Sequence, residues 1–206
     1  MCRRDLLRLL VGFAEGGISS PVGKEGTSAG VWNIAGEGQE LDQEGCQYIP
    51  HVIALTTGEA LTVRNSDPVL HNVNATPSAN RGFNRSQPQA NMTFETSFPQ
   101  PEVMIPVRCD VHGWMEAYIG VTNHPYHAVT GTDGAFTLDR LPPGTYTVEA
   151  WHERYGTATQ QVEVVSGQPA QVTFEFNESM AGREVPMGPV LLIDHHTGTA
   201  TRVTQQ

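Results

Sequence analysis

Val107-Arg-Cys-Asp-Val-His-Gly-Trp-Met-Glu-Ala-Tyr-Ile-Gly-Val121 closes one strand, crosses a short loop and opens another. Its second half, Ala117-Tyr-Ile-Gly-Val121, alternates with the period of two that a strand shows when its faces see different surroundings. The same alternation recurs on both sides, in Met92-Thr-Phe-Glu-Thr-Ser-Phe98, Ala135-Phe-Thr-Leu138, Thr145-Tyr-Thr-Val-Glu-Ala-Trp151, Gln161-Val-Glu-Val-Val165 and Gln171-Val-Thr-Phe-Glu-Phe176. Val52-Ile-Ala-Leu55 and Ala60-Leu-Thr-Val-Arg64 flank Thr57-Gly58-Glu59 and read as strand, tight turn, strand. Asp133-Gly134, Pro142-Pro143-Gly144 and Ser166-Gly167 supply further turns. Helical periodicity is almost absent. Many short strands with regular turns predict an all-β chain of antiparallel sandwiches, not a parallel α/β sheet.

The chain has 206 residues, enough for one large domain or two small ones, each able to bury a core. With 22 acidic and 12 basic side chains, its net charge of −10 repels phosphate backbones. No basic patch offsets that charge, so nucleic acid is not an expected partner. No apolar run approaches the roughly 18 to 20 residues of a spanning helix: Leu6–Ala14 is broken by Arg8, and Val190–Ile193 is short. No transmembrane segment is expected.

A boundary falls near Asn123-His124-Pro125, where strands and turns become denser. Residues 31–122 are expected to form one sandwich and 123–176 a smaller one. Residues 1–30, rich in Gly and Ser, read as a flexible segment, and 177–206 as a tail. Met1–Ala14 has positive charge, then a short apolar block, then a small residue, in outline a secretory signal. Asp5 and Arg8 interrupt the block, so a short amphipathic segment or a misassigned start is an equal reading.

Between the strands ending near Val107 and beginning near Ala117, Cys109, His112 and Met115 follow at spacings of three. A loop of that length can turn three side chains onto one point. Thirty-eight residues upstream, His71 stands just beyond the strand Leu61–Arg64, in Asn65-Ser-Asp-Pro-Val-Leu-His-Asn-Val73. One thiolate, two imidazoles and a weak axial thioether suit copper in electron transfer. Structural zinc more often shows paired Cys-x-x-Cys ligands. Each residue alone reads more simply as core or a hydrogen-bonded histidine; the conjunction carries the metal reading.

These segments resemble the cupredoxins, and the short Cys-x2-His-x2-Met loop is similar to that of amicyanin. Gly45-Cys-Gln-Tyr-Ile-Pro-His-Val52, the His71 segment, Cys109–Met115, His124-Pro-Tyr126, Asp133-Gly-Ala-Phe136 and Pro142-Pro-Gly-Thr-Tyr146 together resemble bacterial methylamine-utilisation-like or carboxypeptidase-regulatory-like proteins. The resemblance covers roughly residues 30–176. It implies a cupredoxin Greek-key sandwich followed by a prealbumin-like one, with His71, Cys109, His112 and Met115 as copper ligands. Relatives commonly carry Pro where Gly113 stands and a second His where Asn74 stands. Gly113 gives the ligand loop more backbone freedom than Pro would.

Cys46 reads first as a buried structural thiol, then as an additional ligand with His51, then as a disulfide partner of Cys109, which would remove the thiolate. His51, His124, His127 and His152 lie in strand or turn contexts where a hydrogen-bonded structural role is the simpler reading. His195-His196 in the tail is weak ground for metal binding, and the sequons at Asn74, Asn84, Asn91 and Asn177 read as loop composition. The second sandwich shows no nucleophile with a visible base and no phosphate loop, so packing or partner docking is its expected job. The leading expectation is a non-enzymatic, periplasmic or secreted copper electron carrier, with His112 as electron exit and a basic redox partner such as a c-type cytochrome. The alternatives are a structural or binding module with copper incidental or absent, and a copper enzyme with open coordination.

Overall fold

The computed structural model describes residues 10–13, 38–138, 141–181, 192–193 and 200–201. The described chain is all-β apart from one 3-10 turn at Glu178–Met180. In chain order the strands are β1 (Leu10–Phe13), β2 (Gln39–Glu44), β3 (Gln47–Ile49), β4 (Val52–Thr56), β5 (Leu61–Asn65), β6 (His71–Ala75), β7 (Phe83–Gln87), β8 (Met92–Thr96), β9 (Glu102–Arg108) and β10 (Glu116–Thr122). Then come β11 (Ala128–Val129), β12 (Gly144–His152), β13 (Gly156–Val164), β14 (Leu192–Ile193) and β15 (Ala200–Thr201), the last two a small antiparallel pair.

The first sandwich stacks a five-stranded sheet, β4-β10-β9-β6-β7, on a four-stranded one, β3-β2-β5-β8. Period two explains why the faces meet: in β5, Leu61, Val63 and Asn65 are buried while Thr62 and Arg64 turn outward. Arg64 meets Glu40 on the outer face at 2.9 Å. Leu41, Leu61 and Val63 from one sheet and Leu55, Ile105, Val107 and Ile119 from the other are wholly buried in a single core. At about 1.5–3 kcal/mol for each large apolar side chain, that core dominates the stability of the unit.

Each sheet contains one parallel pair, β2 with β5 and β4 with β10, so the expectation of purely antiparallel sheets is corrected. Thr57-Gly58-Glu59 is the reason. Glu59 N–H closes the turn on Thr56 C=O at 2.9 Å, but β4 lies in one sheet and β5 in the other. The turn is a corner between sheets, and β5 returns beside β2 in the same direction. A period-two pattern marks a strand without naming its neighbour.

The second unit is a sheet ordered β11-β1-β12-β13, built around the β12–β13 hairpin. Tyr146, Val148 and Ala150 on β12 face Phe136, Leu138, Leu141, Phe174 and Phe176. Residues 135–138 and 171–176, expected as strands, join no ladder, though their exposure alternates residue by residue. Their alternation records apolar side chains packed against the β12 cluster, which needs no strand partner. The reading of 1–30 as flexible does not extend to Leu10–Phe13, whose backbone pairs with β12 and β11 and covers an otherwise open strand edge.

The two units meet along β4 and β10, where Val52, Met104, Tyr118, Val129 and Trp151 share a second apolar cluster. Met104 sits at φ 64°, beside a register shift between β9 and β10. Met104 and Ile105 are both buried because both faces of the strand are covered here, Met104 toward this interface and Ile105 in the sandwich core.

His51 completes the interface, its Nε2 on Glu153 and its Nδ1 on Glu116 C=O. The Glu153 hydrogen bond, against a smaller opposing effect of burial, raises the His51 pKa, and His51 holds the Glu153 carboxyl below its usual range. A raised histidine stabilises fully below its ordinary 6.5 and loses this as pH rises through the folded value; a depressed carboxyl stabilises above its ordinary 4.5 and loses this as pH falls through the folded value. The pair therefore contributes most between those two ordinary values, modestly because both side chains are 36% exposed. His51→Gln should lower Tm by more at about pH 5.5 than at about pH 8.5 in thermal melts, and an equal loss at both would remove the pair from the interface.

Candidate metal centre

Strand pairing brings the separated segments together. β6 begins at His71 and β9 ends at Arg108; Asn74 pairs with Arg108 and Ala75 with Val107. The start of β6 and the loop after β9 thus emerge at the same end of the sandwich. Cys109–Met115 is a tight loop, closed by Cys109 N–H to Met115 C=O at 3.2 Å and Met115 N–H to His112 C=O at 2.8 Å. Inside it, the His112 N–H points at Cys109 Sγ, 3.4 Å away.

Asn72 joins the two segments. Its Oδ1 accepts the Asp110 N–H at 2.7 Å and lies 3.4 Å from Cys109 Sγ. Its Nδ2 donates to Asp110 Oδ2 at 2.9 Å and to Asn84 Oδ1 at 2.8 Å. Tyr48, buried beneath, donates its hydroxyl to Asn72 C=O at 2.6 Å. Burial raises the Tyr48 pKa, and the nearby negative charge of Cys109 and Asp110 adds to the effect. The Asp110 carboxyl is held below the usual range by donors from Asn74 and Asn84, with Asn72 adding to them.

At the centre, His71 Nδ1 and His112 Nδ1 face each other at 2.9 Å, and Cys109 Sγ is 3.7 Å from His112 Nδ1. His71 is wholly buried, and Cys109 nearly so. The other ring nitrogen of His71, Nε2, donates to Asp67 Oδ2 at 2.8 Å. That bond places the His71 proton on Nε2 and leaves the Nδ1 lone pair facing the centre. Asp67 also accepts the N–H groups of Gly45 and Cys46, both at 2.9 Å. Burial pushes its carboxyl up, but the donors from Cys46, His71 and Gly45 outweigh this and hold it below the ordinary range.

The donor set fits copper. Nitrogens 2.9 Å apart, and a sulfur 3.7 Å from one of them, can be spanned by metal bonds of about 2.0–2.3 Å. Thiolate softness with two imidazoles is the chemistry that copper takes. His112 links the group, its Nδ1 lying beside both His71 Nδ1 and Cys109 Sγ. Met115 joins through its backbone, which closes the loop, while its side chain is buried in the core cluster that also contains Cys109.

A further residue, read from sequence first as structural, stands in this cluster. Cys46 Sγ and a ring nitrogen from each of His71 and His112 lie within 4.8 Å of one another. Cys46 and Cys109 are both free thiols, which sets aside the disulfide. The pairing of Cys46 with His51 is not formed, since His51 bonds Glu116 and Glu153 instead. His127 meets Thr122 and His124 C=O, and His152 accepts the N–H of Arg154 at 2.9 Å. His195 and His196 lie outside the described residues.

Residues 116–177 match the family model of the carboxypeptidase regulatory-like domain. The match takes in β10, which is hydrogen-bonded into the first sandwich, together with β11, β12 and β13 of the second unit but not β1. No curated protein matches the chain in sequence. Among solved structures, the Cu(I) form of a mutant amicyanin is similar at 15% identity, covering 44% of this chain and 87% of that one, with a TM-score of 0.37. The oxidized form of another amicyanin mutant gives 16%, 44%, 88% and 0.38 in the same order. The Cu-containing nitrite reductase (NirK) from Thermus scotoductus SA-01 gives 16%, 42%, 22% and 0.39. What the centre can do is read from its own side chains.

Asp67→Asn should weaken metal affinity about 10- to 100-fold while leaving the far-ultraviolet circular dichroism unchanged, because it loosens His71 without removing a donor to the metal. Competition with a chromophoric chelator measures this. Unchanged affinity would show that the Asp67 bond does not orient His71.

Proposed function

We propose that this protein binds one copper ion between His71, Cys109 and His112, with Met115 as a weak axial contact, and works as an electron carrier without enzymatic turnover. The supporting observation is the pair of facing Nδ1 atoms with Cys109 Sγ beside them. When bound, copper supplies a one-electron couple. The protein supplies a fixed cage: Asn72 ties the Cys109 loop to β6, and Asp67 sets the His71 ring. Ligands held in this way move little when charge changes, which favours transfer.

His112 is the ligand nearest solvent, and the surface beside it is apolar. Trp114 is 62% and Val111 50% exposed, and their loop brings the His112 ring 5.2 Å from the indole. Val69 and Leu70, just before His71, are also exposed. This face suits brief docking of a redox partner that is dewatered at its centre, with the chain's charge of −10 favouring a basic partner such as a c-type cytochrome. An extracytoplasmic location, periplasmic or secreted, belongs to the same proposal. Its support is the resemblance set out above and not the Met1–Ala14 block, since the apolar end of that block, Leu10–Phe13, pairs as a strand of the second unit. Among the described residues, no helix is long and apolar enough to cross a membrane.

Copper loading should produce an intense visible thiolate-to-copper band with about one equivalent bound, and Cys109→Ser should abolish it. A loaded, reduced-thiol sample that stays colourless overturns the reading. Met115→Leu should keep copper and raise the reduction potential; an unmoved potential would remove Met115 from the axial position.

A further inference from the structure

We infer that Cys46 is a second thiolate ligand, so that the ion is held by two sulfurs and two imidazoles, Cys46, Cys109, His71 and His112. The inference rests on the metal-binding reading above and changes what kind of centre it is. Cys46 Sγ is within 4.8 Å of ring nitrogens from both histidines, which puts it inside the donor cluster.

The backbone of Cys46 points the same way. Gly45 and Cys46 form the two-residue connection between β2 and β3, with φ of 62° and 56°. Left-handed conformation at both positions is what a tight primed hairpin turn demands, and Gly or Asn normally occupies them. A cysteine there is strained relative to either. The strain is held by bonds to the rest of the site. The Cys46 N–H donates to Asp67 Oδ2, the same oxygen that accepts from His71 Nε2. The Cys46 C=O accepts from Trp114 Nε1 at 3.1 Å, from within the ligand loop. The turn is thus bonded to the support of one histidine and to the loop of the other. A residue serving only to reverse the chain needs neither bond.

The facing Nδ1 atoms, 2.9 Å apart, place both imidazoles on one ion instead of dividing them between two. On ligation, Cys46 exchanges its S–H bond for a sulfur–metal bond and releases the proton to water. A second thiolate adds one negative charge beside the ion, which stabilises the more oxidised state and lowers the reduction potential relative to a one-thiolate centre.

X-ray absorption at the copper edge of the full chain, loaded anaerobically with Cu(I), counts the sulfurs. Two short copper–sulfur bonds are expected, falling to one in Cys46→Ser and remaining two in Met115→Leu. In copper-loaded Cys46→Ser the reduction potential should rise. If the second sulfur survives Cys46→Ser and disappears in Met115→Leu, or if wild type shows one sulfur, the role of Cys46 is overturned while the copper site stands. If the chain takes up no copper, the copper reading itself fails. Because Cys46→Ser removes a residue from a strained turn, a measurement on wild type accompanies it: Cu(I) should protect both Cys46 and Cys109 from iodoacetamide, read by peptide mass spectrometry. Protection of Cys109 with Cys46 still alkylated at its metal-free rate would also overturn the assignment.

Discussion

Asn72 is the residue through which two chain segments 38 positions apart behave as one site. Strand pairing alone sets β6 beside β9, with a tolerance of about an ångström that ligand geometry does not forgive. The Asn72 amide removes that freedom by bonding the Asp110 backbone N–H on one side and the Asp110 carboxylate on the other. Because Asn72 is buried, each of these bonds is expensive to lose. Cys109 and His112 inherit their positions from it, since Asp110, which Asn72 grips, lies between them in the loop.

The electrostatics follow from that frame. Two carboxylates, Asp67 and Asp110, stand close to the histidines and thiols of a chain that is already strongly acidic. Each is satisfied by N–H donors: Asp67 by two backbone amides and an imidazole, Asp110 by three asparagine side chains. Their charge is therefore used to orient other groups, and the centre keeps a net attraction for a cation. Asn74, where a histidine would add another nitrogen donor, here contributes an amide to the Asp110 cradle.

What the sequence makes legible is what is local. Cys109, His112 and Met115 fall within seven residues; the His112 ring stands in the donor cluster with Cys109 Sγ 3.7 Å from it, while the Met115 side chain lies in the core. His71 is read from sequence as lying just beyond the strand Leu61–Arg64, whereas it opens a strand of its own, β6, whose sequence His71-Asn-Val-Asn-Ala75 carries little apolar alternation. Cys46 is harder to read, because its chemistry depends on a turn whose position follows from β2 and β3, two short strands with little apolar pattern. The available signal is a cysteine after a glycine where a primed turn calls for Gly or Asn. Alternation likewise identifies β4 and β5 correctly as strands while saying nothing about the corner that sends them to different sheets.

The second unit is not remote from the centre. His51 bonds Glu153 of the β12–β13 turn with one ring nitrogen and the Glu116 carbonyl with the other, and Glu116 directly follows Met115. Both partners are acceptors, so only an imidazolium can donate to the two at once, which is the physical origin of the raised His51 pKa. A neutral ring must give up one bond: either the hold of the second unit weakens, or the end of the ligand loop loses a donor. The loop is thus anchored on one side by Asn72 within the first sandwich and on the other by a histidine that reports on the docking of the second.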